Sequence, residues 1–180
     1  MRMPIVSAAS AVVAAAGLLA GVAGAQVTKE SVPGVTNFSR VETTIACAGA
    51  TTPAGVAEVK RLGYASIINL RQASEEGANV DAEEAAARAA GVTYVHLPLN
   101  TASPDPAVIE RFLKAVTEPA NQPVFVHCAS ANRAAALWMI KRMTVDGWDA
   151  DRASTEAAAL GLTNPALRAF ALGYATAHKK

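Results

Sequence analysis

Val124-Phe125-Val126-His127-Cys128-Ala129-Ser130-Ala131-Asn132-Arg133 is the segment from which the chain is best read. Three apolar residues, two of them β-branched, form a buried strand that ends at a cysteine. A tight loop of mostly small residues follows, and Arg133 stands where a helical pattern begins and runs from about Asn132 to Met143. In such a strand-loop-helix unit the loop N–H groups and the helix N-terminus converge on one point of positive potential, which suits an anion. Arg133 adds a fork of donors shaped for a tetrahedral oxyanion. The same field favours the thiolate of Cys128, the form that attacks. A lone cysteine after an apolar strand is more often a small buried hydrophobe. The arginine five positions on, at the junction with a helix, favours a site.

Outward from this unit, strands and helices alternate. Asn37 to Cys47 carries Val41, Thr43, Thr44 and Ile45 and predicts one or two strands. Thr52 caps a helix that begins at Pro53 and is closed by Gly63. Ala65–Leu70 and Val92–Leu97 are further strands, separated by an alanine- and glutamate-rich helix over Asp81–Ala90 whose charges read as a solvated face. Apolar residues at 108, 109, 112, 113 and 116 give Pro106–Thr117 a helical period. Two more helices, near 150–160 and 165–178, finish the chain. This order predicts a single α/β domain with a central, largely parallel sheet flanked by helices, its ligand beyond the carboxyl ends of the strands.

Composition sets the outer limits. Of 180 residues, 42 are alanine and two are cysteine. Residues 1–25 hold one charge, Arg2, followed by an apolar run and then Ala23-Gly24-Ala25, the small residues a signal peptidase reads. The expectation is a signal peptide over 1–25, with export to the periplasm or the medium; an uncleaved anchor is the rival reading. An arm over 26–36 and a domain over 37–180 follow. The remaining 155 residues carry 15 basic and 15 acidic side chains, hence no net charge. That balance excludes nucleic-acid binding driven by bulk positive charge, and no membrane contact is expected once the signal is removed. Three scattered histidines give no metal-ligand spacing, and no glycine-rich nucleotide motif occurs, so no cofactor is expected.

With these pieces in order the chain resembles the dual-specificity-phosphatase-like branch of the protein tyrosine phosphatase superfamily. It is most similar to the beta-lactamase-hydrolase-like phosphatase group. The resemblance runs from about Asn37 to Ala177. It rests on Ala48-Gly49-Ala50-Thr51-Thr52-Pro53, on Ile67-Ile68-Asn69-Leu70-Arg71 with Glu75 or Glu76 following, on Tyr94-Val95-His96-Leu97-Pro98-Leu99, and on the His-Cys loop itself. It implies that Cys128 attacks a phosphate monoester, on a protein or a small molecule, to form a cysteinyl-phosphate. The amides of Ala129, Ser130, Ala131, Asn132 and Arg133, with the Arg133 guanidinium, would hold the equatorial oxygens. An aspartic acid would protonate the leaving oxygen. Asp105 is the only carboxylate in the loop where that acid belongs, near Asn100; capping the helix at Pro106 is its other reading.

The loop has four residues between cysteine and arginine, as in rhodanese sulfurtransferases, so sulfur transfer through a Cys128 persulfide is an alternative. Ala131 in place of the usual glycine, Ala134 where Ser or Thr is usual, and Asn100 near the position of the acid favour a third reading, a non-catalytic oxyanion-binding module. Arg71 could reach the anion from the end of its strand or pair with Glu75 or Glu76. Asn132 shapes the loop or touches substrate. His127 points to the face opposite Cys128 and reads as a structural hydrogen-bonding group, while Trp138 and Met139 read as packing. Cys47 is either a buried free thiol or the partner of Cys128 in a reversible disulfide.

Overall fold

The structure, a computed structural model, describes residues 27–178. The signal expected over 1–25 lies outside the described residues. Six strands form one sheet in the order β1-β2-β3-β6-β4-β5. They are β1 (Thr28–Lys29), β2 (Ser39–Arg40), β3 (Ile45–Ala48), β4 (Ser66–Asn69), β5 (Thr93–His96) and β6 (Val124–His127). β3, β6, β4 and β5 run parallel, and β2 and β1 continue the sheet antiparallel beyond β3. Six helices cover it: α1 (Gly55–Arg61), α2 (Val80–Ala89), α3 (Pro106–Thr117), α4 (Asn132–Thr144), α5 (Ala150–Ala159) and α6 (Pro165–Ala177). The single α/β domain with a mostly parallel sheet is the architecture the alternation predicts.

β6 lies between β3 and β4, so both of its edges are paired, and all four of its residues are 0% exposed. Period-2 alternation divides them between two cores. Phe125 joins Val56, Val59, Tyr64 and Ala87 on the face of α1 and α2. Val124 and Val126, with Cys128 just beyond, join Phe112, Leu137, Met139 and Leu167 on the face of α3, α4 and α6. The strand that leads into the cysteine is therefore anchored along both edges, as is β4, whose four residues are also 0% exposed.

Three local expectations differ from the structure. The helix after Pro53 starts at Gly55, because Thr52 Oγ1 accepts the Gly55 N–H at 3.1 Å and residues 53–54 form a turn. The stretch 27–36, expected as a loose arm, supplies β1 and buries Val32 and Val35; a two-residue strand is too short to show a period. The charges of α2 are not all solvated. Glu83 is 0% exposed and sits with its Oε1 2.7 Å from Nε2 of His127, itself 0% exposed.

Candidate active site

Cys128 follows β6 directly, and its N–H donates to the Ala48 carbonyl at 3.2 Å, so the end of β3 fixes where the cysteine sits. The loop beyond it is tied to the same neighbour: Ala50 donates to the Ala129 carbonyl at 3.0 Å, and Gly49 bridges to Ser130. Gly49 is needed there, since a Cβ would collide with the Thr36 hydroxyl and crowd the Ala129 carbonyl. Ala131 has φ +74° and is 0% exposed, so it adopts the left-handed conformation that favours glycine. That reversal lets the chain enter α4 at Asn132. Among the described residues, the backbone N–H groups of Ala129, Ser130, Asn132 and Arg133 find no carbonyl or side-chain acceptor. They form a donor-lined cradle at the N-terminus of a 13-residue helix.

Arg133 closes the cradle and is 8% exposed. Its Nη1 donates to Glu75 Oε1 at 2.5 Å and reaches the carbonyls of Leu70 at 3.1 Å and Leu99 at 3.3 Å. Its Nη2 donates to Glu75 Oε2 at 2.7 Å. This leaves Nε–H and one Nη2 hydrogen for an anion. Burial opposes the charge on Arg133, but the Glu75 carboxylate and the Cys128 sulfur outweigh it and hold the guanidinium pKa above its ordinary value. Glu75 in turn is pulled down to about 2, chiefly by the Arg133 hydrogen bonds and against the effect of burial. Gln72 N–H adds a 2.7 Å bond to Glu75 Oε1.

Arg71 does not reach the anion site. It is 4% exposed, its Nη1 donates to the Gly77 carbonyl at 2.8 Å, and its Nη2 donates to that of Glu76 at 2.6 Å. Its Nε is 3.4 Å from Glu75. The guanidinium is spent folding the 72–77 loop into the platform that presents Glu75. Asn132 staples the loop from the other side. Its Oδ1 accepts the N–H groups of Thr163 and Asn164, each at 2.8 Å, and its Nδ2 donates to Ser130 Oγ at 3.2 Å. Asp105 caps α3, its Oδ1 accepting the Ala107 N–H at 2.9 Å.

A cavity of about 310 Å³ opens over the loop, lined by Gln72, Glu75, Thr101, Ser130, Asn132, Arg133, Asn164 and Leu167. Neither Asp105 nor Arg71 is on its wall. Cys128 lies beneath, 1% exposed, in contact with Arg133. At Asn164 the cavity meets a larger cleft between α5 and α6 that carries Asp151 and Arg168. Cys47 is 0% exposed, and burial together with the nearby Cys128 pushes its thiol pKa well up, so it remains protonated; both cysteines are free.

Two features escaped the sequence reading. The Glu83–His127 pair is continued by Asn69, whose Nδ2 lies 3.1 Å from Glu83 Oε2 and 2.8 Å from the Tyr94 hydroxyl. Asn69 Oδ1 also accepts the Arg71 N–H at 2.8 Å, so this buried network underpins the start of the 71–77 loop. On the far side of α4, Glu156 accepts from Trp138 Nε1 at 2.7 Å and from Arg142 Nε at 2.8 Å. No periodic pattern announces either network; a glutamate in an alanine-rich helix is the hint in both cases, joined in the first by the structural reading of His127.

Comparison with known proteins agrees with this geometry. The model of the family described as "Beta-lactamase hydrolase-like protein, phosphatase-like domain" matches residues 37–145. Beta-lactamase hydrolase-like proteins of two Xylella fastidiosa strains, Temecula1 and 9a5c, are each 42% identical over 89 residues. That match covers 48% of this chain and 20% of the relative, so the chain corresponds to about a fifth of their length. Among solved structures, a DUF442 protein of Shewanella putrefaciens CN-32 aligns with TM-score 0.69 and 20% identity, covering 83% of this chain and 97% of that one. Pseudomonas aeruginosa TpbA aligns with TM-score 0.65 and 22% identity over 86% and 91% of the two chains, and has also been solved in complex with phosphotyrosine. The core catalytic domain of the Saccharomyces cerevisiae PP-IP phosphatase Siw14, solved with citrate, aligns with TM-score 0.65 and 20% identity over 79% and 87%. The chain therefore has the fold of the protein tyrosine phosphatase-like phosphatases and belongs to the family of beta-lactamase hydrolase-like phosphatase-like domains.

Proposed function

We propose that the protein is an exported cysteine-dependent phosphatase, periplasmic or secreted, acting on a phosphorylated substrate through a cysteinyl-phosphate. The observation that carries this reading is the ring of unpaired amides at residues 129, 130, 132 and 133, closed by the Arg133 guanidinium above Cys128. Cys128 is the nucleophile. The amides and the two remaining hydrogens of Arg133 take the charge that builds on the equatorial oxygens, and they are already oriented before the substrate arrives. Glu75 holds Arg133 in that orientation from behind. The anions bound in TpbA and Siw14 support a substrate of this charge. Ser130 Oγ, which accepts from Asn132 Nδ2, is the hydroxyl of the loop that would stand in for the one Ala134 lacks.

The test is turnover of para-nitrophenyl phosphate by the reduced protein beside a Cys128→Ser variant. Activity that vanishes in the variant is expected; equal activity in both would remove Cys128 from the mechanism. The four-residue spacing favours a second reading, transfer of sulfane sulfur through a Cys128 persulfide. Thiocyanate formed from thiosulfate and cyanide, with no phosphate released from the ester, would select it.

A further inference from the structure

We infer that the substrate is a phosphoanhydride, whose terminal phosphate passes to Cys128 while the remainder departs as a phosphate that takes no proton from the protein. The inference rests on the phosphatase reading above and names its substrate class.

The argument begins with the leaving group. Cleaving the ester of an aliphatic alcohol expels an alkoxide, and an alcohol holds its proton about as tightly as water does, with a pKa of about 15. A positioned acid must supply that proton, a contribution of about 10²–10⁴ in rate. The described residues include all 15 acidic side chains of the chain. Among them Glu75 alone lines the cavity, and both of its oxygens accept from Arg133. A carboxylate held in this way has no proton to give. Asp105 is turned to the N-terminus of α3 and is absent from the cavity wall. The other lining groups are hydroxyls, amides, the Arg133 guanidinium and one leucine, none of which releases a proton near neutral pH. A departing phosphate needs none, because its second ionisation lies at about pH 6.

The walls favour the same class. An aryl ester also has a more acidic leaving group, with a phenol pKa of about 10, but its ring needs an apolar surface. Leu167 is the one apolar side chain here, and no aromatic ring lines the cavity. Gln72, Thr101, Ser130 and Asn164 instead offer hydrogen-bond donors. Asn164 Oδ1 is fixed by the N–H groups of Ala166 and Leu167, which leaves Nδ2 to donate. Beyond Asn164 the adjoining cleft carries the cation of Arg168 and, across it, the carboxylate of Asp151. A second phosphate would satisfy these groups, whereas a phenyl ring would desolvate them.

The chemistry balances. The Cys128 thiolate forms a bond to the terminal phosphorus, the bridging P–O bond breaks, and its electron pair stays on the departing phosphate. Water then attacks the cysteinyl-phosphate. The S–P bond breaks, its pair returns to sulfur, and the water proton passes to an oxygen of the released phosphate.

Phosphate release by the full, reduced chain should be measured with adenosine diphosphate, phenyl phosphate and glycerol 2-phosphate, for the unaltered protein and for Asp105→Asn. Asparagine caps a helix as well as aspartate does, so the fold is kept while the acid is removed. The expected result is a kcat/KM for the diphosphate at least about 10²-fold above that for glycerol phosphate, with Asp105→Asn matching the unaltered protein on every substrate. Glycerol phosphate within about tenfold of the diphosphate would overturn the inference. Its fall by about 10²–10⁴ in Asp105→Asn would make Asp105 the acid and overturn the inference as well. So would phenyl phosphate outpacing the diphosphate. Hydrolysis of either ester without the diphosphate would overturn this inference alone. Hydrolysis of none of the three would overturn the phosphatase reading with it.

Discussion

Two residues of the loop carry costs that can be measured. Ala131 holds a left-handed backbone that costs an alanine about 1–2 kcal/mol. Glycine escapes that penalty but gives up part of the gain to the greater freedom of its unfolded chain. Ala131→Gly should therefore stabilise the protein by about 0.5–1 kcal/mol, read as a higher urea midpoint at unchanged slope; a lower midpoint would mean that the methyl packs more than it strains. Glu75 makes the opposite kind of contribution. Its pKa falls from 4.5 to about 2 in the folded protein, first through Arg133. A depressed carboxylate stabilises the folded state fully above its unfolded pKa, and that stabilisation is lost as pH falls from about 4.5 toward 2. The stability difference between the protein and Glu75→Gln should be constant above about pH 5 and shrink below it. At neutral pH the variant should lose about 10²-fold in kcat/KM, because Arg133 is no longer aimed. A difference that persists to pH 2 would separate Glu75 from the arginine.

At the scale of the elements, register decides the relation between the two cysteines. Cys47 on β3 is opposite Val126 on β6, and Cys128 lies two residues further on. With strands about 4.8 Å apart and a rise of about 3.3 Å per residue, the two Cα atoms are separated by about 8 Å. A disulfide tolerates no more than about 7 Å without backbone movement. Mass spectrometry of the oxidised, non-reduced protein should accordingly recover peptides carrying each cysteine unlinked, and a Cys47–Cys128 cross-link would show that β3 and β6 shift. Sequence could bring the pair under suspicion, since both precede tight turns, but register appears only with the sheet. The same holds for other parts of the site. Cys128, Arg133 and the amides between them were legible because they are neighbours in one strand-loop-helix unit. Glu75 could be named only as a partner for Arg71, because it is 58 positions from Arg133 and meets it only once β4 lies beside β6. For Arg71 the sequence leaves anion contact and pairing with Glu75 or Glu76 both open, because its position at a strand end says nothing of the carbonyls at Gly77 and Glu76 that claim its side chain.

For the molecule as a whole, the alternation of strands and helices was enough to foresee the parallel sheet and its two covered faces. The antiparallel extension at β1 and β2 was not foreseen, nor was the sheet order, which depends on which strand is buried on both faces. The network around Arg142 shows the same limit: Glu42, Asp146 and Glu156 converge on it from three parts of the chain. The side-chain carbonyl of Asn132, held by Thr163 and Asn164, has a consequence for synthesis. A nascent chain leaves the ribosome from its N-terminus, so the cysteine and arginine emerge some thirty residues before the backbone that anchors their loop. Until α5 has emerged, Trp138 and Arg142 also lack Glu156. A fragment cut at residue 145, where the family match ends, would carry every residue of the chemistry and none of this buttress. The loop that carries Cys128 and Arg133 is thus finished last, by a part of the chain that also lends Asn164 and Leu167 to the cavity wall.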